Sequence, residues 1–250
     1  MLQLMNSYQN CIGENNMNIM EFDHVDVLFE KIPVLKNINI NLETGKVYSL
    51  IGPNGAGKST LMETCMGFHT YKGDIRLFGE SIKKLKSNQI GISYVPQEGN
   101  IYRRLSVHDN IQLARTIRKS KLEIDEIYDV FPILKERQTQ IANTLSGGEA
   151  RQLAIALALV HLQKMVMLDE PLTGLSPKMV LHTLDFIKRI KAKFDATIFI
   201  TEQNLEVADI SDYICVMRSG EIIVQFSAND WAQLSRAEIT EIVFGRTVPC

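Results

Sequence analysis

The sequence predicts an α/β fold, a mostly parallel sheet with helices on both faces, joined to an antiparallel β subdomain and broken by a helical insertion. Three observations carry this. The runs 47–51, 165–168 and 197–201 are short, apolar and without clean alternation, as strands buried on both faces are. Between them lie segments with apolar residues at helical spacing, and this alternation of strand and helix builds a parallel sheet. Residues 19–42 instead alternate in the manner of antiparallel strands.

A chain of 250 residues, 45% of them hydrophobic, can fill the core of one large domain or two small ones. The net charge of −2 lacks the basic excess of nucleic-acid binders, so no nucleic-acid partner is expected. No stretch reaches 18 consecutive apolar residues, so none is expected to span a bilayer. Cys11, Cys65, Cys215 and Cys250 are far apart and form no C-x-x-C pair. They read as reduced thiols of a cytosolic protein, not as a disulfide frame or zinc site.

Residues 1–18 are polar and Asn-rich, lack the layout of a signal peptide, and are expected to be a disordered N-terminal tail. Met17 or Met20 is an alternative natural start. Met20, Phe22, Val25, Val27 and Phe29, then Leu35, Ile38, Ile40 and Leu42, supply the strand alternation, and 43–46 is a turn. Phe29 reads either as a core residue or as an exposed aromatic platform for a ring.

Strand 47–51 runs into Gly52-Pro53-Asn54-Gly55-Ala56-Gly57-Lys58-Ser59-Thr60, the pattern G-x-x-x-x-G-K-[ST] of a phosphate-binding loop. Leu61, Met62, Cys65 and Met66 follow at helical spacing, so the motif has its strand–loop–helix setting. Gly52, Gly55 and Gly57 allow positive φ and close approach of amides to an anion. The helix N-terminus adds its positive dipole end. Lys58 is a point charge for the terminal phosphates of a nucleotide, and the Ser59 hydroxyl is a ligand for Mg²⁺.

Strands are expected around Ile75 and over 92–95, where Pro96 ends pairing and fixes where Gln97 emerges. Residues 98–145 form the helical insertion. Ser106 and Asp109 fit a capping box, and Ile124, Ile127, Tyr128 and Phe131 mark another helix that ends near Pro132. Ser146 with Glu149 is a second capping box, opening an apolar helix to about His161. The helical subdomain thus covers about 98–160. Strand 165–168 runs into Asp169-Glu170. Ser176 is an N-cap with Pro177 at the first helical position. Strand 197–201 leads into Glu202-Gln203-Asn204, 213–226 is a hairpin, and 227–250 is a C-terminal helical tail.

Four apolar residues followed by Asp169-Glu170 suit a Walker B element. Asp169 at the strand end reaches a magnesium shell, and Glu170 polarises an attacking water. In such sheets ligands bind beyond the carboxyl ends of the strands, where the loop, Gln97, Asp169, Glu170 and Gln203 all fall.

Leu145-Ser146-Gly147-Gly148-Glu149 resembles the signature of ATP-binding cassette (ABC) ATPases. The order of motifs is similar too: Phe29, phosphate loop, Gln97, signature, Walker B, a following loop at 172–177 and a switch residue near Gln203. The resemblance covers 19–226 and implies a P-loop NTPase (RecA-like) core of ABC ATPase type. It implies ATP and Mg²⁺ as cofactors and a head-to-tail pair of cassettes. Each ATP then lies between residues 52–60 of one copy and Ser146, Gly147, Gly148 and Glu149 of the other. Phe29 stacks on adenine; Ser59, Gln97 and Asp169 hold the metal; Glu170, Gln203 and Gln97 serve catalysis. The implied partners are membrane-spanning permease subunits, facing 100–106, and a second ABC ATPase subunit, paralogue or self. Arg103 and Arg104 either pair with acids of the permease or are solvated surface charge. The implied location is the cytoplasmic face of the membrane.

The sequence also departs from the family pattern. Gln203 stands where a histidine is usual; its amide donates a hydrogen bond but cannot become a cation. Ser176 replaces a frequent aspartate, Leu157 a frequent arginine, and Glu149 a more usual glutamine. Glu202-Gln203-Asn204 and the segment 173–177 resemble the ATPase subunits of branched-chain amino-acid importers, and urea-type amide importers share the glutamine. Those importers pair two different ATPase subunits, which points to a His-bearing paralogue as partner. The alternatives are an ATP-dependent clamp with little turnover, or the motor of an exporter. A soluble cassette protein of repair or translation fits less well, since the chain has neither a second cassette nor a long coiled-coil insert.

Overall fold

The computed structural model describes residues 18–85, 90–98, 100–120, 122–160 and 163–245. Residues 1–17 of the expected tail, Cys11 and Met17 among them, His161 and Cys250 lie outside these residues, whereas Asn18, also expected in the tail, is the first residue of β1 and donates to Glu21 Oε1 at 3.0 Å. In chain order the elements are β1 (Asn18–Phe29), β2 (Ile32–Glu43), β3 (Val47–Ile51), α1 (Lys58–Cys65), β4 (Lys72–Leu77), β5 (Glu80–Ser81) and β6 (Ile92–Val95). The insertion holds α2 (Val107–Arg118), α3 (Ile124–Val130), α4 (Pro132–Glu136) and α5 (Gly147–Leu159). Then come β7 (Met165–Asp169), α6 (Pro177–Phe194), β8 (Thr197–Glu202), β9 (Tyr213–Arg218), β10 (Glu221–Ser227), α7 (Ala228–Trp231) and α8 (Arg236–Phe244).

Two sheets result. The antiparallel one has the order β2-β1-β4-β5, and β1 meets β2 through pairs such as Phe22↔Ile40 and Val25↔Ile38. The six-stranded one has the order β10-β9-β3-β8-β7-β6, parallel from β9 through β6 with β10 antiparallel at the edge. Its strands split their side chains between two cores. Val47, Ile51, Val166, Leu168, Ile198 and Ile200 face the core shared with α5 and α6. Tyr48, Leu50, Met165, Met167 and Phe199 face the core shared with α1 and the antiparallel sheet. One face of the parallel sheet is therefore covered jointly by α1 and a second sheet, where the sequence suggested helices alone.

Helix α6 buries Val180, Leu184, Ile187 and Ile190 at helical spacing, each worth about 1.5–3 kcal/mol on full burial. Ser176 is its N-cap by backbone geometry, but its side chain makes no capping bond. Pro132 does more than end a helix. Its fixed φ suits a first helical position, and it opens α4 directly after Phe131. Ser106 accepts from the Asp109 amide at 3.0 Å and caps α2, without the reciprocal bond of a full box.

The two sheets are clamped at one turn. The Gly220 amide donates to Ala56 O at 2.9 Å, and the Lys36 amide donates to Gly220 O at 2.8 Å. A Cβ on Gly220 would lie 2.3 Å from Val34 O, so only glycine lets the hairpin reach both partners. Among the described residues no helix is long and apolar enough to cross a membrane.

Candidate active site

The parallel strands β3, β6, β7 and β8 end on one edge, and the site is built there. The loop after β3 starts at Gly52, whose amide donates to Glu202 O at the end of β8, 3.2 Å away. Gly52 takes no positive φ, contrary to the sequence expectation. Its lack of a Cβ matters for another reason: that atom would sit 2.3 Å from Met217 O. Gly55 and Gly57 do take positive φ. Pro53 O accepts from the Ala56 amide at 3.2 Å, Ala56 is buried, and Asn54 and Gly55 face outward. Gly57 caps α1 without a side chain, so the first-turn amides there have no intrahelical acceptor. Thr60 lies on α1 and its carbonyl accepts from Thr64 Oγ1 at 2.6 Å.

Lys58 is only 4% exposed. Its Nζ donates to Gly52 O at 3.0 Å and Pro53 O at 3.2 Å, and pairs with Glu170 Oε1 at 3.1 Å. The other oxygen of Glu170 accepts from Gln97 Nε2 and from Thr173 Oγ1, each at 3.1 Å. Glu170 holds φ at +46°, a left-handed backbone that costs a non-glycine residue on the order of 1–3 kcal/mol. The bond from its amide to Thr201 O, 3.0 Å, pins that conformation.

Asp169 is buried at the end of β7. Its Oδ1 accepts from Ser59 Oγ at 3.2 Å and from Thr201 Oγ1 at 2.5 Å, and Tyr94 OH lies 3.5 Å from Oδ2. Burial raises its pKa above the usual aspartate value; the two hydroxyl bonds oppose this and the Glu170 charge adds to it. The Ser59 hydroxyl and the Asp169 carboxylate form a hard oxygen donor set that suits Mg²⁺. No group of three or more His, Cys, Asp or Glu able to hold a metal occurs among the described residues. Phosphate oxygens and waters must then supply the rest, the usual arrangement for magnesium with a nucleotide.

Gln203 follows β8, and its backbone amide donates to Glu202 Oε2 at 3.0 Å. Glu202 is 1% exposed and also accepts from Leu172 N at 2.5 Å and Asn204 N at 3.3 Å. Burial lifts its pKa above the glutamate norm against the pull of those three amides. It ties the loop after Walker B to the loop carrying Gln203. Sequence reasoning missed Glu202, along with Thr201, Thr173, Tyr94 and Arg151. The pairing of Asp169 with Thr201 across β7 and β8 depends on strand register, which no motif records.

Phe29 is 42% exposed, which removes its reading as a core residue. Its ring lies 4.9 Å from the His69 ring at a 60° tilt, and His69 Nε2 is 2.7 Å from Glu63 Oε2. Ser146 and Gly147 are exposed at the start of α5, apart from the cluster around Lys58. Ser146 Oγ accepts from Glu149 N at 3.3 Å, while Glu149 Oε2 accepts from Ser146 N at 2.8 Å. The Ser146 amide is thus engaged, and only the Gly147 and Gly148 amides stay open among those the sequence offered to an anion. Glu149 Oε1 also accepts from Arg137 Nε at 3.1 Å. Burial opposes its ionisation, but the Ser146 bonds and Arg137 prevail and hold its pKa below the usual value.

A phosphate loop on β3, a Walker B pair on β7, a glutamine after β6 and an exposed Ser-Gly-Gly helix start together define an ATP-binding cassette. The model of the ABC transporter family matches residues 35–173, more than half the chain, and the chain belongs to that family, whose cassettes bind and hydrolyse ATP. It is 34% identical over 214 residues to the high-affinity branched-chain amino acid transport ATP-binding protein BraG of Pseudomonas aeruginosa, covering 82% of this chain and 91% of that one. It is 34% identical over 218 residues to the probable branched-chain amino acid transport ATP-binding protein LivF of Archaeoglobus fulgidus, covering 84% and 92%. Among solved structures, the ADP conformation of MJ1267, an ATP-binding cassette of an ABC transporter, superposes with a TM-score of 0.78 at 25% identity, covering 92% of this chain and all of that one.

Proposed function

We propose that this cassette hydrolyses ATP to drive import of a branched-chain amino acid or a related amide, seated on permease subunits at the cytoplasmic face of a membrane. The observation that carries the hydrolytic part is the convergence of Lys58 and Gln97 on Glu170 at one strand edge, each 3.1 Å from one of its two carboxylate oxygens. The importer part is supported by the printed roles of BraG and LivF and by residues 202–204.

The contacts around Lys58 support the following sequence of events for the chain's own groups. Lys58 is shared between loop carbonyls and Glu170. A terminal phosphate in the loop competes for the ammonium and frees Glu170 Oε1. Glu170 then takes the proton of an attacking water, while Gln97 and Thr173 keep its other oxygen oriented. Ser59 and Asp169 would hold Mg²⁺, with Gln97 at its edge, and the ion would neutralise charge on the phosphates. Phe29 stacks on adenine. The open Gly147 and Gly148 amides, in a turn shaped by Ser146 and Glu149, receive the phosphate presented by a second cassette. That second cassette is a paralogue with histidine at the switch position, since Gln203 donates a hydrogen bond but no charge. Residues 100–106, with Arg103 and Arg104 exposed, meet the permease.

Gln203 also favours a second reading, a clamp that binds ATP with little turnover. The experiment is steady-state ATPase activity of the complex purified from membranes, beside Glu170→Gln. Turnover that the substitution removes supports the motor; negligible turnover in the intact complex supports the clamp.

A further inference from the structure

The insertion leaves the parallel sheet after β6 and returns through α5 to β7. One side chain closes the root of that excursion. Arg151, one turn into α5, donates from Nη1 to Pro96 O at 3.1 Å and from Nη2 to Gln97 O at 2.5 Å. Nη2 also reaches Glu170 O at 3.4 Å. All three acceptors are backbone carbonyls of the two loops that carry Gln97 and Glu170. Among the described residues Arg151 has no carboxylate within ion-pairing distance. Glu202, Asp169 and Glu170 act on it only through space. A guanidinium fits this task because its donors lie in one rigid plane and reach several acceptors at once; an ammonium supplies charge without the fork.

We infer that Arg151 is a positioning residue, which locks the backbones of Gln97 and Glu170 to the helix that begins with the Ser146–Gly148 turn. When a partner's nucleotide moves that turn, Arg151 carries the displacement along α5 to the carbonyls beside the water-activating pair. In this role it acts through the backbones of Gln97 and Glu170. The inference rests on the hydrolytic reading above and adds a residue that neither the motifs nor the catalytic geometry requires.

The test compares wild type, Arg151→Met and Arg151→Lys in the assembled transporter, reading kcat, KM for magnesium-ATP and thermal midpoint. Misplacing a reacting group by about 1 Å costs on the order of 100-fold, so a loosened clasp should lower kcat in Arg151→Met by about 10- to 100-fold. KM should stay within about twofold, because the loop that binds phosphate is untouched. Arg151→Lys, keeping charge and stem, should recover part of kcat. Where Arg151→Met does not fold, Arg151→Lys alone must still show reduced kcat at unchanged KM. The inference is overturned if kcat stays within about twofold of wild type in the folded variants, or if kcat and KM worsen together with the thermal midpoint. A wild-type complex without turnover would instead overturn the hydrolytic reading.

Discussion

The phosphate-loop half of the site and the Ser146–Gly148 half are built on opposite plans. Around Lys58 the charged groups Lys58, Asp169 and Glu170 are buried, and the polar ones, including the exposed Gln97 and Thr173, are answered within the chain: Lys58 by Glu170, Ser59 and Thr201 by Asp169, Gln97 and Thr173 by Glu170. At the start of α5 Ser146 and Gly147 are exposed while Gly148 is buried beside Met179, and among the described residues the two glycine amides have no acceptor in the same copy. The first half holds Lys58, Glu170 and Gln97 in mutual contact, so a phosphate that took the Lys58 ammonium would rearrange them. The second is finished geometry lacking only something to bind. On the function proposed above, a ligand loosens one half and a second subunit delivers that ligand to the other.

Glu170→Gln should have the largest effect. Turnover of the complex should fall about 10²- to 10⁴-fold, the scale of losing a general base, with ATP still bound. Undiminished hydrolysis would move the base elsewhere. Lys58→Ala comes next, because it strands a buried carboxylate; such losses cost about 3–5 kcal/mol, readable by urea unfolding without nucleotide. Adding Glu170→Gln to Lys58→Ala should restore much of that loss, and simple additivity would show that the pair does not interact. Ser146→Ala probes the open half. Losing the cap should cost about 0.5–2 kcal/mol, leave ATP affinity of the single chain unchanged and weaken ATP-dependent pairing in sedimentation. An equal loss of single-chain affinity would erase the contrast between the halves.

The smallest effect concerns Asp169, whose folded pKa burial raises above the ordinary 3.8. A raised carboxyl contributes stability that is complete below the unfolded value and lost as pH rises through the folded one. At neutral pH the ionised group therefore opposes folding. Without nucleotide and magnesium, Asp169→Asn should raise the thermal midpoint at pH about 7, by about 2–4 °C per kcal/mol gained, and the gain should shrink toward pH about 4. A gain independent of pH would assign the effect to packing.

Much of this was legible in the chain because the chemistry sits in contiguous runs. Residues 52–60 and 145–149 declare themselves by local pattern, while Asp169-Glu170 gains its meaning only beside the phosphate loop. The strands of the parallel sheet were legible too, being uninterrupted apolar runs. What stayed hidden is nonlocal. The Lys58–Glu170 contact and the grip of Arg151 depend on which strands are neighbours, and no spacing records that order. The glycine pattern implies positive φ at Gly52, whereas the approach of Met217 O is what excludes a side chain there. Phe29 could not be placed from alternation alone, because the last residue of a strand follows the alternation whether or not anything covers it. Arg151 sits in an apolar helix where a lone cation carries no motif.

The clamp at Gly220 bears on how the chain is made. The cradle for phosphate leans on Met217 and Gly220, and β3 is flanked by β8 and β9, all encoded far downstream of the loop itself. A nascent polypeptide emerging from the ribosome would carry the glycine loop long before it carries the walls of the cradle. Such late, distant contacts slow folding, and until they form, cellular ATP has no finished pocket to enter and cannot act as a template for the early half of the chain.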